Sequence, residues 1–386
     1  MDRTKCWKRK SDESSTQAGK KQNEKSLPLI NEMLPGEMLE KVFSHLAPKD
    51  LKTAMLVCNL WKSTASSSPA LWSWVKFMHR EHSSLDSLLK TMGMERLRNV
   101  KHLRIQTSLS EVSWRRLLEA ALQHPGLKTV TFPLYEPFAF PGDTDLLSKF
   151  LAKMEEVESP TFPIPALASV LQGPNNLKKL WVEYIEGEDR SVVARDLNKI
   201  EHLDLGEMKS EDVELLLKEM QDETSAVTSL SICSNWSGAS FESFPGAFEK
   251  VEELVLRFYD EDNPIGYVPP RAMNTLCEAI STSPRLKKLT IDWMNLSKVE
   301  PQLLARMVNK MEEATLLLDK LKIHQVEAIL THAVRETSLK MLWLNYCPSN
   351  DPDIDLAPGL VSAAKKVIPK VNIDCDDSDE SDNESD

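Results

Sequence analysis

The sequence predicts an α/β solenoid that follows a small all-α module. Two observations indicate the solenoid: a short apolar motif recurs from about residue 98 onwards, and helix-like runs separate most of its copies. A third observation, two compact apolar segments of helical period before residue 77, indicates the all-α module. We therefore expect a disordered basic tail at 1–27, a helical module at 28–76, a helical linker at 77–97, repeats at 98–373 and a disordered acidic tail at 374–386.

The composition is that of a globular protein with two charged ends. Of 386 residues, 41% are hydrophobic and 27% are charged, and the formal net charge is −12. Residues 1–26 hold eight Lys/Arg and four Asp/Glu, whereas residues 374–386 hold eight Asp/Glu and no base. Both ends have too few apolar groups to offset the entropy of ordering, so we expect disorder there. The acidic body makes nucleic acid an improbable partner.

The sequence gives little reason to expect a membrane or an extracellular location. The first residues contain no apolar segment of the kind that a secretory signal requires, and the longest uncharged stretch is interrupted by prolines. The six cysteines show no C-x-x-C spacing and are expected to be reduced. We expect an intracellular protein, cytoplasmic and/or nuclear. The basic clusters at 8–10 and 20–21 indicate either a nuclear import signal or a solvated tail.

The helical module has an apolar face wider than one core needs. Winding residues 35–46 as a helix gathers Met38, Leu39, Val42, Phe43 and Leu46 on one side. A second helix is expected from Pro48, which suits a first helical turn. A unit this small buries little surface by itself. Its apolar face therefore either binds a partner protein or packs on the rest of the chain.

The order of residues in this module resembles the F-box family. The pattern runs L-P-x-E-x-L, then V-F-S-H-L-x-P-K-D-L, V-C-x-x-W and S-P-x-L-W. One departure is Asn59, where the family often carries a basic residue. The resemblance implies docking on the adaptor subunit of an SCF-type (cullin-RING) ubiquitin ligase. It implies the following adaptor-binding residues: Leu34, Pro35, Met38, Leu39, Phe43, Leu46, Leu51, Val57, Cys58, Trp61, Leu71 and Trp72.

The recurring motif has the form h-x-x-L-x-h, where h is apolar. Its central positions fall at residues 103, 130, 157, 180, 203, 230, 254, 289, 314, 342 and 371. One short strand and one helix for each step of 23 to 35 residues resembles the leucine-rich repeat, which implies a horseshoe of about eleven irregular strand-helix units. The alternative is a generic α/β domain with parallel strands, which would not explain the near-constant spacing.

Alternation along each strand predicts a target-binding surface. The residues on either side of the final apolar position should face away from the repeat core and form a continuous concave row. The candidate target-binding residues on that row are Trp181, Glu183, Asp204, Arg257, Asp292, Trp343 and Asn345. An exposed Trp is typical of binding hot spots. Alternatively, a tail or the aromatic segments 133–143 and 258–270 cover the two tryptophans; those segments serve either recognition or packing.

The sequence contains no motif for catalysis, nucleotide binding or a metal site, and no cofactor is expected. His79 and His82 form H-x-x-H, but we expect them on a solvated polar helix. Together the resemblances predict a non-catalytic substrate-recognition subunit of an SCF-type ubiquitin ligase. Its partners would be the adaptor subunit, the cullin and an unknown protein substrate. The alternative is a repeat scaffold or inhibitor that acts without target turnover.

Overall fold

A computed structural model describes most of the chain. The described residues are 34–73, 75–80, 84–133, 143–186, 190–235, 244–258, 270–292, 294, 296–317, 321–346, 356 and 358–375. The chain separates into two compact units, Met1–Leu71 and Trp72–Asp386.

The first unit is helical in its described part. It contains α1 (Gly36–Phe43), α2 (Pro48–Ala54) and α3 (Asn59–Ser67). Pro48 opens α2 at a position where a missing backbone N–H costs no helical hydrogen bond. Phe43 and Trp61 meet edge to face, with ring centroids 5.3 Å apart and planes at 71°, so α1 and α3 pack against each other.

The second unit contains a twelve-stranded parallel sheet in which the strands lie side by side in chain order. A sheet of this order, with a helix between most neighbouring strands, is a solenoid-like α/β repeat. Its strands are β1 (Lys76–His79), β2 (His102–Ile105), β3 (Thr129–Thr131), β4 (Glu156–Pro163), β5 (Lys179–Glu186), β6 (His202–Lys209), β7 (Ser229–Asn235), β8 (Glu253–Phe258), β9 (Lys288–Asp292), β10 (Glu313–Leu317), β11 (Met341–Tyr346) and β12 (Lys370–Cys375).

Helices follow most of these strands and pack on their sequence neighbours. In the described residues of this unit they are α4 (Leu85–Met92), α5 (Glu111–Gln123), α6 (Thr144–Lys153), α7 (Ile164–Gln172), α8 (Arg190–Leu197), α9 (Ser210–Met220), α10 (Pro270–Thr282), α11 (Pro301–Asn309), α12 (Ile323–Arg335) and α13 (Pro358–Val367). None of the described helices combines the length and the hydropathy that are needed to span a lipid bilayer.

The strand register confirms the predicted repeat positions. The central apolar residues of the eleven motifs are consecutive register partners, from Leu103 and Val130 on β2 and β3 to Leu342 and Val371 on β11 and β12. The central residues of β2 to β11 are buried. They form one continuous row beneath the helices, which is why an apolar side chain recurs at this position in each of these repeats.

Two predicted boundaries are wrong. The expected helical linker at 77–97 contains β1, which pairs with β2 and adds a twelfth strand to the expected eleven; only its later part is helical, at α4. The expected acidic tail at 374–386 begins inside β12, whose last residues are Asp374 and Cys375. The basic tail at 1–27 and residues 376–386 lie outside the described part of the chain.

Candidate functional site

The helical unit carries a concentration of exposed apolar side chains. Met38 and Val42, one turn apart on α1, are 49% and 50% exposed, and Leu56, Val57 and Leu60 are exposed between the end of α2 and the start of α3. These five are half of the ten large hydrophobic residues that are exposed among the described residues. So many exposed apolar side chains in one small unit are typical of a surface that binds protein.

The structure divides the predicted adaptor-binding residues into outer and inner groups. The exposed members are Pro35, Met38 and Val57, and the half-buried members are Leu34, Leu46, Cys58 and Trp61. The fully buried members are Leu39, Phe43, Leu51, Leu71 and Trp72. The buried side chains belong to the core of the fold and not to its outer face. The sequence pattern did not separate the two groups, because a residue that supports a docking surface and one that forms it are both apolar.

Local contacts fix the exposed end of α1. The backbone carbonyl of Pro35 accepts from the N–H groups of Met38 and Leu39, at 3.0 and 3.1 Å, so the helix begins directly after the proline. The Ser68 hydroxyl donates to the Glu40 carboxylate and ties the end of α3 to the middle of α1. Met38 and Val42 therefore project from a helix that is held at its start and at its centre.

Trp72, also in the predicted adaptor set, differs from the other members in its place in the fold. It falls in the second unit, where its ring is 3% exposed and the guanidinium carbon of Arg96 lies 5.4 Å from the ring centroid. The boundary between the units precedes Trp72, whereas the predicted module extended to residue 76. Trp72 is a core residue of the repeat unit that is covered by a cation.

The face of the sheet that is opposite the buried row, called here the open face, presents a row of register partners. One such row consists of Met78, Arg104, Thr131, Glu158, Trp181, Asp204, Ser231, Val255, Thr290, Thr315, Trp343 and Asn372. Adjacent members lie roughly 4.8 Å apart, the spacing of hydrogen-bonded strands. Three of the predicted target-binding residues, Trp181, Asp204 and Trp343, belong to this row.

The remaining predicted residues lie near this row. Glu183 is exposed on β5, and Asn345 is half-buried on β11. Arg257 on β8 is in register with Asp292 on β9, and its Nη1 lies 3.6 Å from Asp204 Oδ1. The structure thus brings Trp181, Asp204, Arg257 and Asp292 together. Trp343 lies six strands from Trp181, roughly 29 Å along the sheet, so the two tryptophans mark separate places.

The open face contains a cavity of about 410 Å³ that extends across β3 to β8. Trp181, Asp204 and Arg257 line it, together with Glu156, Lys179, Glu253 and other residues of the same strands. Lys179 pairs with Glu156 at 3.2 Å, so both cationic side chains in the cavity wall have carboxylate partners. We call this space the open-face cavity.

The pKa of Cys233 depends on the charges near one end of the cavity. Burial raises the pKa of the Cys233 thiol, and Arg257 opposes that shift. Glu207, Asp292 and Asp204 reinforce the shift, because nearby carboxylates disfavour a thiolate. Carboxylates therefore outnumber cations around this part of the open face.

Sequence reasoning missed Glu158 and Glu253, which also line the cavity. Glu158 follows a central position, Val157, by one residue, as Trp181 follows Leu180, so the same offset would have found it. The motif around Val157 is degenerate, which hid this equivalence. Glu253 precedes the central Leu254 and lies on the open face because it is two residues from Val255 on the same strand.

Other predicted features fall elsewhere or outside the description. His79 is buried on β1 and not on a polar helix, and His82 is outside the described residues. The described residues hold no group of three or more His, Cys, Asp or Glu side chains that could bind a metal ion. Most of the segments 133–143 and 258–270 lies outside the described part, so their predicted recognition or packing role stays a prediction.

Comparison with known proteins identifies one part of the chain. Residues 32–78 match the F-box-like family, which covers the helical unit and extends through most of β1. No curated protein matches the chain. One similar solved structure is a protein from Bacteroides fragilis that is 14% identical, with a TM-score of 0.34, over 78% of this chain and 73% of that one. The chain thus carries an F-box-like segment, a module of protein interaction that generally binds the adaptor subunits of SCF-type ligases.

Proposed function

We propose that the chain is a non-catalytic substrate-recognition subunit of an SCF-type ubiquitin ligase. The observation that carries the proposal is the coincidence of the F-box-like match at 32–78 with the exposed apolar side chains at 38–60. The adaptor subunit would cover these side chains and hold the chain on the cullin. The second unit would act as an irregular leucine-rich-repeat domain whose open face holds the protein target.

Such a subunit requires no chemistry of its own. Holding a target beside a loaded conjugating enzyme raises the effective concentration of its lysine residues. The two tasks, adaptor binding and target binding, would be carried by separate units of the chain. A substitution on one surface should therefore leave the other task intact.

Substitution of exposed residues tests the proposal without disturbing a core. The tagged chain is expressed in cells, and the adaptor subunit and cullin that co-purify are quantified by mass spectrometry. Met38→Asp combined with Val57→Asp should abolish the recovery of both, because charges would be buried at the contact. The matched control is Val112→Asp combined with Val334→Asp, which changes two exposed valines on helices of the repeat unit.

A second variant addresses the start of α1. Replacing Leu34 and Pro35 by Ala should also abolish recovery of the adaptor subunit, while the repeat unit keeps its circular dichroism spectrum. Undiminished recovery with both variants would contradict the proposal. Recovery of the cullin without ubiquitination of any captured target in a reconstituted reaction would favour a scaffold or inhibitor that acts without target turnover.

A further inference from the structure

The open-face cavity carries more negative charge than its own cations neutralise. Its wall contains four carboxylates, those of Glu156, Glu158, Asp204 and Glu253, but only two side chains that are always cationic. With His202 neutral, the net charge of the wall is −2. Lys179 pairs with Glu156 and Arg257 pairs with Asp204. Within the described part of the chain, Glu158 and Glu253 form no ion pair.

Trp181 lies between two of these carboxylates. It is the register partner of Glu158 on β4 and of Asp204 on β6, so an acidic residue flanks it on each side at the spacing of adjacent strands. Among the described residues its indole makes no hydrogen bond, aromatic contact or cation contact. The face of an indole attracts a cation, and nearby carboxylates strengthen that attraction.

Glu158 is positioned rather than free to rotate. Its Oε2 accepts a hydrogen bond of 2.9 Å from the Thr131 hydroxyl on β3, which holds the carboxylate beside Trp181. A carboxylate that is held in place loses less side-chain freedom when it forms a bidentate contact with a planar guanidinium. The geometry favours a long cationic side chain that can stack on the indole and reach a fixed carboxylate.

The position of the second unpaired carboxylate, that of Glu253, determines how far apart two basic side chains of a ligand would have to be. Glu253 lies on β8, three strands from Trp181 on β5, and in register with Lys179, two residues before Trp181. The two positions are therefore roughly 14 Å apart across the sheet and about 16 Å apart along the diagonal. In an extended peptide, residues four positions apart project to the same side and are separated by about 13 to 14 Å. The long side chains of Arg or Lys can make up the difference of about 2 to 3 Å, so one extended segment can place one basic side chain at Trp181 and a second at Glu253.

We propose that the open-face cavity binds an extended segment of the target protein that carries two basic residues four positions apart. The first, preferably Arg, stacks on Trp181 and pairs with Glu158, and the second pairs with Glu253. The inference rests on the proposed function only in assigning this segment to a ligase target. The charge complementarity is a property of the cavity and can be tested without any ligase subunit.

The test uses defined peptides and the full chain. A fluorescein-labelled peptide of sequence Gly-Arg-Ser-Gly-Ser-Arg-Gly is titrated with the protein, and its anisotropy is measured. A peptide in which citrulline replaces both arginines keeps the shape and loses the charge, and should bind about tenfold more weakly. The same sequence with Glu in place of Arg should not bind. Binding of the arginine peptide should weaken as NaCl rises from about 50 to 300 mM.

Variants locate the contact. Trp181→Ala should weaken binding of the arginine peptide about tenfold, and the isosteric Glu158→Gln about threefold. Arg257→Gln removes a competing cation from Asp204 and should strengthen binding by about threefold, a change that general damage to the fold would not produce. Glu119→Gln is the matched control, because it removes an exposed carboxylate from α5, which does not line the cavity. It should not alter binding.

Each alternative result is decisive. The inference would be overturned if the arginine and citrulline peptides bound equally well. It would also be overturned if the Trp181→Ala and Glu158→Gln variants bound the arginine peptide as tightly as the unmodified chain, or if that peptide did not bind up to about 1 mM. None of these results bears on adaptor recovery, which tests the proposed function. Conversely, if the adaptor experiment contradicted the proposed function, the arginine peptide could still bind, and the chain would then have a charge-selective peptide site and another function.

Discussion

Lys153 Nζ donates a hydrogen bond of 2.5 Å to the backbone carbonyl of His124, and one of 2.8 Å to that of Leu122. Lys153 ends α6, whereas these carbonyls lie at the end of α5, the preceding helix of the solenoid. Lys310, directly after α11, donates in the same way to the carbonyl of Ser281 at the end of α10. The last carbonyls of a helix have no hydrogen-bond partner within that helix. Here a lysine of the next repeat donates to them.

Lys153→Met should lower the free energy of unfolding by about 1 to 3 kcal/mol. The substitution keeps the aliphatic stem but removes the ammonium donor from the carbonyls of Leu122 and His124 in a partly buried place. Burial also lowers the pKa of Lys153, as expected for an ammonium that is withdrawn from water. Urea denaturation measures the change.

The control for this experiment is Lys149→Met on the same helix. Lys149 forms an exposed ion pair with Asp145 at 2.6 Å and reaches no helix end. Such pairs contribute little to stability. If both variants unfold at the same urea concentration as the unmodified chain, the lysine bridge between units is not stabilising.

The stability of the second unit should fall as the pH drops below about 6.5. His124 is buried, with Nε2 3.1 Å from the carbonyl oxygen of Leu97, and burial lowers its pKa below the usual 6.5, with a smaller contribution from Lys153 and opposition from the Leu97 carbonyl. The unfolded chain therefore binds a proton more readily in this range. His124 contributes stability above the unfolded pKa that is lost as the pH falls through the folded pKa.

A phenylalanine at position 124 should flatten this pH dependence. His124 already packs edge-on against Phe77, with centroids 5.2 Å apart, so the ring of Phe fits the same space without a titrating group. Urea midpoints are compared between pH 7.5 and pH 5.0. His79 and His102 also have pKa values lowered by burial, so the difference in urea midpoint between the two pH values should become smaller in the variant without vanishing. If the change in urea midpoint with pH were the same in His124→Phe as in the unmodified chain, the loss of stability at low pH would be due to other groups.

The sequence predicted the repeat better than it predicted the repeat's limits. The central apolar residues were found because each is buried and each belongs to a motif that recurs at a similar interval. β1 was missed because its four residues, Lys76–His79, contain no L-x-h signature. The lysine bridges were not predictable, because a lysine at a helix end is ordinarily solvated and only the position of the preceding repeat gives it acceptors.

The candidate surfaces could be predicted in outline only. Strand alternation placed Trp181 and Asp204 on one face, and the structure confirms that they are register partners. The pairing of Arg257 with Asp204 depends on strands that are two positions apart in the sheet, which no local pattern encodes. In the helical unit, apolar spacing did not distinguish the buried Leu39 from the exposed Met38 next to it.

Gly206→Ala should destabilise the second unit by about 1 to 3 kcal/mol. Gly206 is the extra residue of a bulge in β6, where the register shifts between Leu205 and Glu207. A Cβ atom there would lie 2.5 Å from the Cα and 2.8 Å from the carbonyl carbon of Glu183 on β5, so the backbone would have to shift. Gly359→Ala is the control, because a Cβ atom at Gly359 has nothing within 4 Å. Equal thermal midpoints for the two variants would show that the strands can separate at little cost.

Target capture should depend on Trp181 and Trp343, whereas adaptor capture should not. Trp343 is 42% exposed on β11, and Trp181 lines the open-face cavity. A half-exposed Trp that a partner covers commonly contributes about 2 kcal/mol or more to binding, so each Ala substitution should reduce capture of a target markedly. Proximity labelling identifies the proteins that the unmodified chain enriches, and the same proteins are then quantified with the double variant.

The adaptor subunit serves as the internal standard in this comparison, because the exposed apolar side chains at 38–60 lie in the other unit of the chain. Loss of a set of proteins at constant adaptor recovery would assign target recognition to the open face. Unchanged enrichment in the double variant would place recognition elsewhere, and the segments 133–143 and 258–270 would then be the next to replace. Loss of the adaptor subunit together with the targets would instead indicate that the substitutions unfold the chain, which circular dichroism of the purified variant tests directly.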